Sequence, residues 1–275
     1  MAFVLLCANS GDMSAGAPAR PHNRLIDKLT RGVPAMGTVS RRAPESSETV
    51  RALVATDLDF VVFDVEGGVN DMARFAASLK MLSDAGDRSS PPAIAPLVRI
   101  PRSSNGSPAD VVRQFMALGA RGVVFGHIDT PAAAARAVSA VVDALPTVPG
   151  AGGSGSTRAH GTWPLASESD VVAIMMIESP EAVGNAAAIA RVPGVTALFF
   201  GPGDFSRAIG RRASLPDLHP DAESAVQAML LACSQTHVVC GYPAAARDDA
   251  ALQREAEKRL KQGFLFVTKV NLREF

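Results

Sequence analysis

From residue 35 onward, short continuous apolar runs alternate with stretches whose apolar residues recur every three or four positions. That alternation restricts the fold more than any other feature. The runs are Ala35–Val39, Phe60–Val65, Leu97–Pro101, Gly122–His127, Val171–Glu178, Ala197–Gly201, Val238–Tyr242 and Phe264–Thr268. Most are unbroken in Val, Ile, Leu and Phe, as strands buried on both faces of a parallel sheet are. Between them, Ser47–Ala55, Met72–Ala85, Pro108–Leu118, Pro131–Leu145, Pro180–Ala190, Asp221–Thr236 and Asp248–Lys261 carry helical spacing. Pro108, Pro131 and Pro180 fall where a first helical turn tolerates a missing N–H. Eight strands in β-α alternation over about 240 residues predict an α/β fold, a (β/α)8 TIM barrel. A doubly wound open sheet is the alternative, but its usual G-x-G-x-x-G turn is absent after the first strand.

The expected organisation is a disordered leader over residues 1–22 and a single barrel domain over 23–275. Only a few residues follow the eighth run, so no eighth helix can be drawn, and apolar barrel surface would be left uncovered. A helix within residues 23–34 is expected to cover the barrel bottom. A neighbouring subunit is the other candidate cover, whence the expectation of a homo-oligomer. The longest break, residues 146–169, is rich in Gly and Ser and is either filler or functional.

Lys plus Arg and Asp plus Glu both total 27, and this balance argues against nucleic acid as a partner. Aromatic residues make up 5%, too few for base-stacking platforms. No apolar stretch is long enough to span a membrane, and a cytoplasmic protein is expected. Cys7, Cys233 and Cys240 are too few and too scattered for a disulfide framework, and no C-x-x-C pair suggests zinc.

A barrel carries its active site at the C-terminal ends of its strands. Those ends offer Asp64 and Glu66 after the second run, Arg99 in the third, His127 after the fourth, Glu178 ending the fifth and Asp204 just past the sixth. Each has a structural reading: an acidic strand end is often a helix cap, as expected of Asp129, and Arg99 could simply pair with Asp64 or Glu66. Together they form a set of carboxylates, an arginine and a histidine converging on one rim. Carboxylates from neighbouring strands, with water in the remaining positions, suit a hard divalent cation: Mg²⁺, Mn²⁺ or Co²⁺. An arginine beside it can stabilise a developing enolate, and the stretch Gly201–Ser206 offers backbone N–H groups to a carboxylate.

At these residues the sequence resembles the metal-dependent pyruvate aldolases of the HpcH/HpaI aldolase/citrate lyase family, which cleave 4-hydroxy-2-oxo acids. The matching segments are FVVFDVE at 60–66, PLVRIP at 96–101, LGARGVV at 118–124, MIESPEA at 176–182 and PGVTALFFGPGDFS at 193–206, in the family's order. The resemblance spans Asn23 to Asn271. It implies that Glu178 and Asp204 ligate the metal, that Arg99 holds the pyruvyl oxygen, and that the amides of Gly203 and Asp204 take the pyruvyl carboxylate. Arg158 and Gly161 loosely match the family's R-G-x-G loop.

The sequence departs from the family elsewhere. The family's Asp-x-Glu-His is Asp64-Val65-Glu66-Gly67 here, so the proton-transferring histidine is replaced by Gly67. Ala117 stands where an acidic residue is common, and Thr268–Val270 replaces a Gly-x-Asp. His127 is the nearest substitute, with His160 a more distant one; an ordinary polar rim residue is the alternative for His127. The resemblance therefore implies a carbon–carbon lyase acting on a small 2-oxo acid through a pyruvate enolate, by aldol cleavage or oxaloacetate decarboxylation. The competing reading is an impaired relative that binds metal and an oxo acid or serves as an assembly partner.

Overall fold

The computed structural model describes residues 24–41, 46–68, 71–86, 94–100, 108–145, 171–236 and 238–273. Eight parallel strands close in sequential order into a barrel: β1 (Ala35–Ser40), β2 (Phe60–Asp64), β3 (Ala95–Arg99), β4 (Gly122–Phe125), β5 (Val172–Ile177), β6 (Ala197–Phe200), β7 (Val239–Ala246) and β8 (Phe266–Asn271). The return pairing of β8 on β1, with Ala35 opposite Phe266, closes the ring. Helices α2 (Ser47–Val54), α3 (Met72–Gly86), α4 (Pro108–Ala117), α5 (Pro131–Ala144), α6 (Pro180–Gly184), α7 (Ala186–Ala190), α9 (Pro220–Thr236) and α10 (Asp249–Gln262) connect successive strands, and a short α8 (Pro202–Ala208) follows β6 directly.

Alternating side chains divide the apolar residues into two cores. The outward set, with Val61, Phe63, Val98 and Val123, packs under the helices. The inward set, with Phe60, Leu97, Ile174 and Phe199, fills the barrel. The Phe60 and Phe266 rings stack inside it at 4.1 Å between centroids.

The expected bottom helix is α1 (Arg24–Thr30), whose Leu25, Ile26 and Leu29 join the inward core beside Phe60 and Ala95. Asp59, fully buried at the start of β2, holds it there: its Oδ2 accepts from Lys28 Nζ and from the Met36 N–H, both at 2.8 Å. This plug stiffens the end of the barrel opposite the strand tips.

Several expectations are corrected. Strand β7 continues past Tyr242 to Ala246, and β8 spans Phe266–Asn271 rather than Phe264–Thr268. Pro243 and three alanines carry little strand signal, but pairing with β8 from Gly241–Phe266 to Ala246–Asn271 holds them extended. The helix expected over Pro180–Ala190 is broken at Asn185, whose side-chain amide donates to the Asp129 carbonyl at 2.7 Å. The outward positions beside β8 include the polar Thr38, Ser40, Lys269 and Asn271, so among the described residues little of the apolar exposure expected there is found. Cys233 of α9 and Cys240 of β7 form a disulfide, a single local staple across seven positions of sequence rather than a framework.

Behind β7, Arg259 is completely buried. Its guanidinium donates to Glu255 at 2.6 Å, to both oxygens of Glu223 at 2.7 and 2.9 Å, and to the Tyr242 hydroxyl at 3.1 Å. Burial pushes the Glu223 carboxyl up, but the bonds from Arg259, with help from Gln262 and Lys258, outweigh it and hold the group below its ordinary range. Removing one side of such a pair leaves a buried charge behind, so Arg259→Met should destabilise the protein by about 3–5 kcal/mol in urea denaturation. Because the folded pKa of Glu223 is depressed, its stabilisation is complete above the unfolded value and disappears as pH falls through the folded one. Glu223→Gln should therefore flatten the loss of stability between about pH 5 and pH 3. An acid limb unchanged by that substitution would assign it to other carboxylates.

Candidate active site

At the C-terminal end of the barrel, a cavity of about 310 Å³ opens over the inward core, with Asp64, Glu66, Arg99, Gly203, Asp204 and Arg207 on its polar side. The first three come from the tips of adjacent strands. Asp64 pairs with Arg99 in the β2–β3 ladder, and the period of two aims both side chains inward.

Arg99 is the hub of this side. Its Nε and Nη2 donate to the two oxygens of Asp64 at 2.9 and 2.6 Å, and Nη2 also lies 3.1 Å from Glu66 Oε2. Nη1 faces the Met176 sulfur at 3.6 Å. Burial acts to lower the Arg99 pKa, but Asp64, Glu66 and Glu178 outweigh it, so the guanidinium stays charged.

His127 lies beyond Glu66. Strand β4 stops at Phe125, and His127 takes a left-handed backbone with φ of 55°, a conformation uncommon outside glycine. The turn directs its N–H to Glu178 Oε1 at 2.6 Å and sets its ring between two carboxylates. Nε2 is 3.3 Å from Glu66 Oε1, and Nδ1 is 3.3 Å from Glu178 Oε1. The result is a continuous array: Asp64, Arg99, Glu66, His127, Glu178. A strained, non-glycine turn maintained in such a place points to a local requirement.

Two glycines leave room for the carboxylates. A Cβ on Gly126 would lie 3.0 Å from Glu66 Oε1 and 3.5 Å from Glu178 Oε1. A Cβ on Gly201 would lie 2.6 Å from both Cβ and Oε2 of Glu178.

Glu178 is 2% exposed, and its Oε2 is buried without a hydrogen-bond partner. Burial raises its pKa, and the neighbouring Asp204 adds to the rise, despite the His127 N–H, His127 itself and Arg99. Asp204 lies in the first turn of α8, bonded to Arg207. Gly203 and Asp204 occupy helix positions whose N–H groups have no intrahelical acceptor. A buried carboxylate oxygen without a donor, beside a second carboxylate, suits a hard cation. Among the described residues no three His, Cys, Asp or Glu side chains converge on one point, so water or a ligand oxygen would complete its shell.

Sequence reasoning named Asp64, Glu66, Arg99, His127, Glu178, Gly203 and Asp204, and the structure gathers all of them at this rim. Asp129 is instead an acceptor for Ser179 and marks the start of α5 through Thr130, the actual N-cap. Arg158, His160, Gly161 and the whole 146–169 break lie outside the described residues. Arg41 and Arg207 were not anticipated. Arg41 follows Val39 by one strand period, and Arg207 follows Asp204 by one helical turn, so simple spacing places both on the cavity wall.

A closed parallel barrel with a ring of carboxylates and an arginine at its strand tips defines the class of barrel enzymes whose chemistry sits at that rim. The HpcH/HpaI aldolase/citrate lyase family model matches residues 43–267. The chain belongs to that family. A 5-keto-4-deoxy-D-glucarate aldolase from Salmonella paratyphi A is 27% identical over 222 residues, covering 80% of this chain and 79% of that protein. The crystal structure of an HpcH/HpaI aldolase/citrate lyase family protein from Burkholderia cenocepacia superposes with a TM-score of 0.67 at 28% identity, over 90% of this chain and 92% of the other. The citrate lyase beta subunit from M. tuberculosis, complexed with oxaloacetate and magnesium, shares the fold with a TM-score of 0.56 at 20% identity, over 88% and 93% of the two chains. Family membership supports a lyase role in general. No helix among the described residues is long and apolar enough to cross a membrane.

The glycine geometry makes a direct prediction. Gly201→Ala should force Glu178 aside and cost about 1–3 kcal/mol in thermal or chemical unfolding. Gly184→Ala should cost nothing, because a Cβ there meets nothing within 4 Å. Equal stability of the two variants would contradict the packing of Glu178 against Gly201.

Proposed function

We propose that this chain is a metal-dependent carbon–carbon lyase working through the enolate of a pyruvyl unit, by aldol cleavage or condensation of 2-oxo acids or by oxaloacetate decarboxylation. The observation that carries the reading is the unpartnered, buried Glu178 Oε2, set beside Asp204 at one end of the ordered array from Arg99 to His127. Glu178 and Asp204 would hold Mg²⁺, Mn²⁺ or Co²⁺. When bound there, the cation supplies Lewis-acid polarisation of the 2-oxo group.

The protein's own groups do the rest. The free amides of Gly203 and Asp204 receive the substrate carboxylate at the positive end of α8. Arg99 is held rigid by its two bonds to Asp64 and offers Nη1 to the 2-oxo oxygen, in place of the weak Met176 acceptor. The same contact strengthens as that oxygen becomes an enolate. His127 would take the proton of the hydroxyl group when the carbon–carbon bond breaks, by turning Nε2 from Glu66, 3.3 Å away, to the substrate. Decarboxylation of oxaloacetate needs no such transfer, because the bond electrons remain on the enolate as carbon dioxide leaves.

A second reading, an impaired relative that binds metal and an oxo acid, is favoured by Gly67, which the resemblance to the family sets at the position of its histidine. Oxaloacetate decarboxylation with Mg²⁺, Mn²⁺ or Co²⁺, with and without chelator, separates the two. Glu178→Gln and Asp204→Asn should each abolish the metal-dependent rate while leaving the unfolding midpoint nearly unchanged. Retention of near-normal turnover by either variant would remove that residue from the metal site. Arg99→Lys should lose almost as much as Arg99→Ala, since an ammonium cannot keep two bonds to Asp64 and still present a third donor in plane. Nothing lies within 4 Å of a Cβ at Gly67. Gly67→His should therefore fit, and should raise aldol cleavage about tenfold while leaving decarboxylation nearly unaltered. An equal rise in both would point to improved folding or metal loading instead.

A further inference from the structure

The cavity is polar on one side only. Its other wall comes from β7, β8 and β1 and presents Pro243, Ala245, Val270, Leu272 and Val39. These residues follow from strand register. Ala245 stands opposite Val270 in the β7–β8 ladder, and the Leu272 N–H is spent on the Ala246 carbonyl at 2.8 Å. Pro243 has no N–H to offer.

The polar residues of these strands point elsewhere. Lys269 donates outward to Gln253 at 2.7 Å, and Asn271 to Asp249 at 3.3 Å, both on α10. Tyr242 turns outward to Arg259 at 3.1 Å. Thr268 points inward but is fully buried below the cavity lining, its Oγ1 without a hydrogen-bond partner. Arg41, at the edge, lies with its Nε 3.8 Å from Asp64 Oδ2, toward the polar side. Among the described residues that β7 and β8 contribute to this wall, no side chain offers a hydrogen bond to a bound molecule, and Arg41 bounds it at the β1 edge.

On the reading above Arg99 and α8 hold the pyruvyl end, and the apolar wall is the part of the cavity left for the chain beyond C4. We infer that the aldehyde released from, or added to, the pyruvyl unit at this site is apolar, with Val270 and Ala245 as specificity-determining residues. The inference rests on the enolate reading above. It departs from the polyhydroxylated substrate in the name of the Salmonella relative. A hydroxyl group pressed on this wall loses water without replacement, and apolar pockets disfavour an added hydroxyl by about 100-fold. The reaction balances without a further reagent. Pyruvate loses one methyl proton, its C3 bonds to the aldehyde carbon, and the alkoxide takes up a proton to give a 4-hydroxy-2-oxo acid.

The test compares propanal with glycolaldehyde, of similar size, as acceptors for pyruvate in the presence of Mg²⁺. The kcat/KM for propanal should exceed that for glycolaldehyde by about 100-fold. Val270→Ser and Ala245→Ser should each lower that ratio about tenfold by placing a hydroxyl on the wall. A binding measurement supports the rate data: 2-oxohexanoate, which has the apolar tail but no cleavable bond, should bind at least about tenfold tighter than pyruvate by calorimetry. Exchange of the pyruvate methyl protons with deuterated water needs no acceptor and reports the enolate alone. If exchange occurs but glycolaldehyde is preferred, or both serine variants leave the ratio unmoved, the apolar-acceptor inference is overturned and the enolate reading stands. If neither exchange nor addition occurs, both fall.

Discussion

The bidentate contact of Arg99 with Asp64 is the interaction on which the rest of the rim depends. It joins the tips of β2 and β3, where ladder pairing already puts the two residues side by side. A guanidinium fixed through two of its nitrogens has a defined plane, which a single contact would not impose. Glu66 can then rest on the same Nη2, His127 on Glu66, and Glu178 on the backbone and ring of His127. Five side chains from four strand ends thus lie in one continuous array. Carboxylates outnumber cations at the rim. Arg99 faces both Asp64 and Glu66, Arg207 pairs with Asp204, and Glu178 Oε2 is left without a hydrogen-bond partner, where a divalent cation would add positive charge.

The scaffold makes that order affordable in strain. Closure of β8 on β1 leaves no free sheet edge, and α1 fills the far mouth with Leu25, Ile26 and Leu29. Behind β7, the buried Arg259 network ties α9 and α10 to the strand that forms the apolar wall. Polar chemistry is thus concentrated on the β2 to β6 side of the mouth, and apolar side chains of β7 and β8 shape the side across from it, with Arg41 at the β1 edge. The left-handed turn at His127 is kept because Glu178 accepts its N–H and both carboxylates face its ring.

Much of this was legible in the residues because buried parallel strands read as unbroken apolar runs. The barrel follows from their alternation with helical spacing, and Asp64, Glu66, Arg99 and Glu178 stand out as charged groups at the ends of those runs. What escaped notice shares a physical cause. Pro243 to Ala246 has weak intrinsic strand preference and is extended only through pairing with β8, so the apolar wall was invisible. The seven-residue α8 reads as a glycine-rich loop. Asn185 interrupts a strong helical pattern because a distant carbonyl, that of Asp129, captures its side chain. The Cys233–Cys240 bond depends on where α9 ends against β7, which spacing alone does not give. His127 could be named as a polar rim residue, but its backbone turn, and hence its place between two carboxylates, is tertiary.

The central claim is that Arg99, Glu178 and Asp204 form a site shaped for a planar, doubly charged enolate beside a divalent cation. Oxalate has that shape and charge and does not react, so its binding isolates the geometry from turnover. Calorimetric titration of oxalate should show tight binding when Mg²⁺ or Mn²⁺ is present and little without it. Arg99→Lys should weaken the metal-dependent binding by about tenfold or more. Oxalate binding that is equally strong without metal, or indifferent to the Arg99 substitution, would contradict the account.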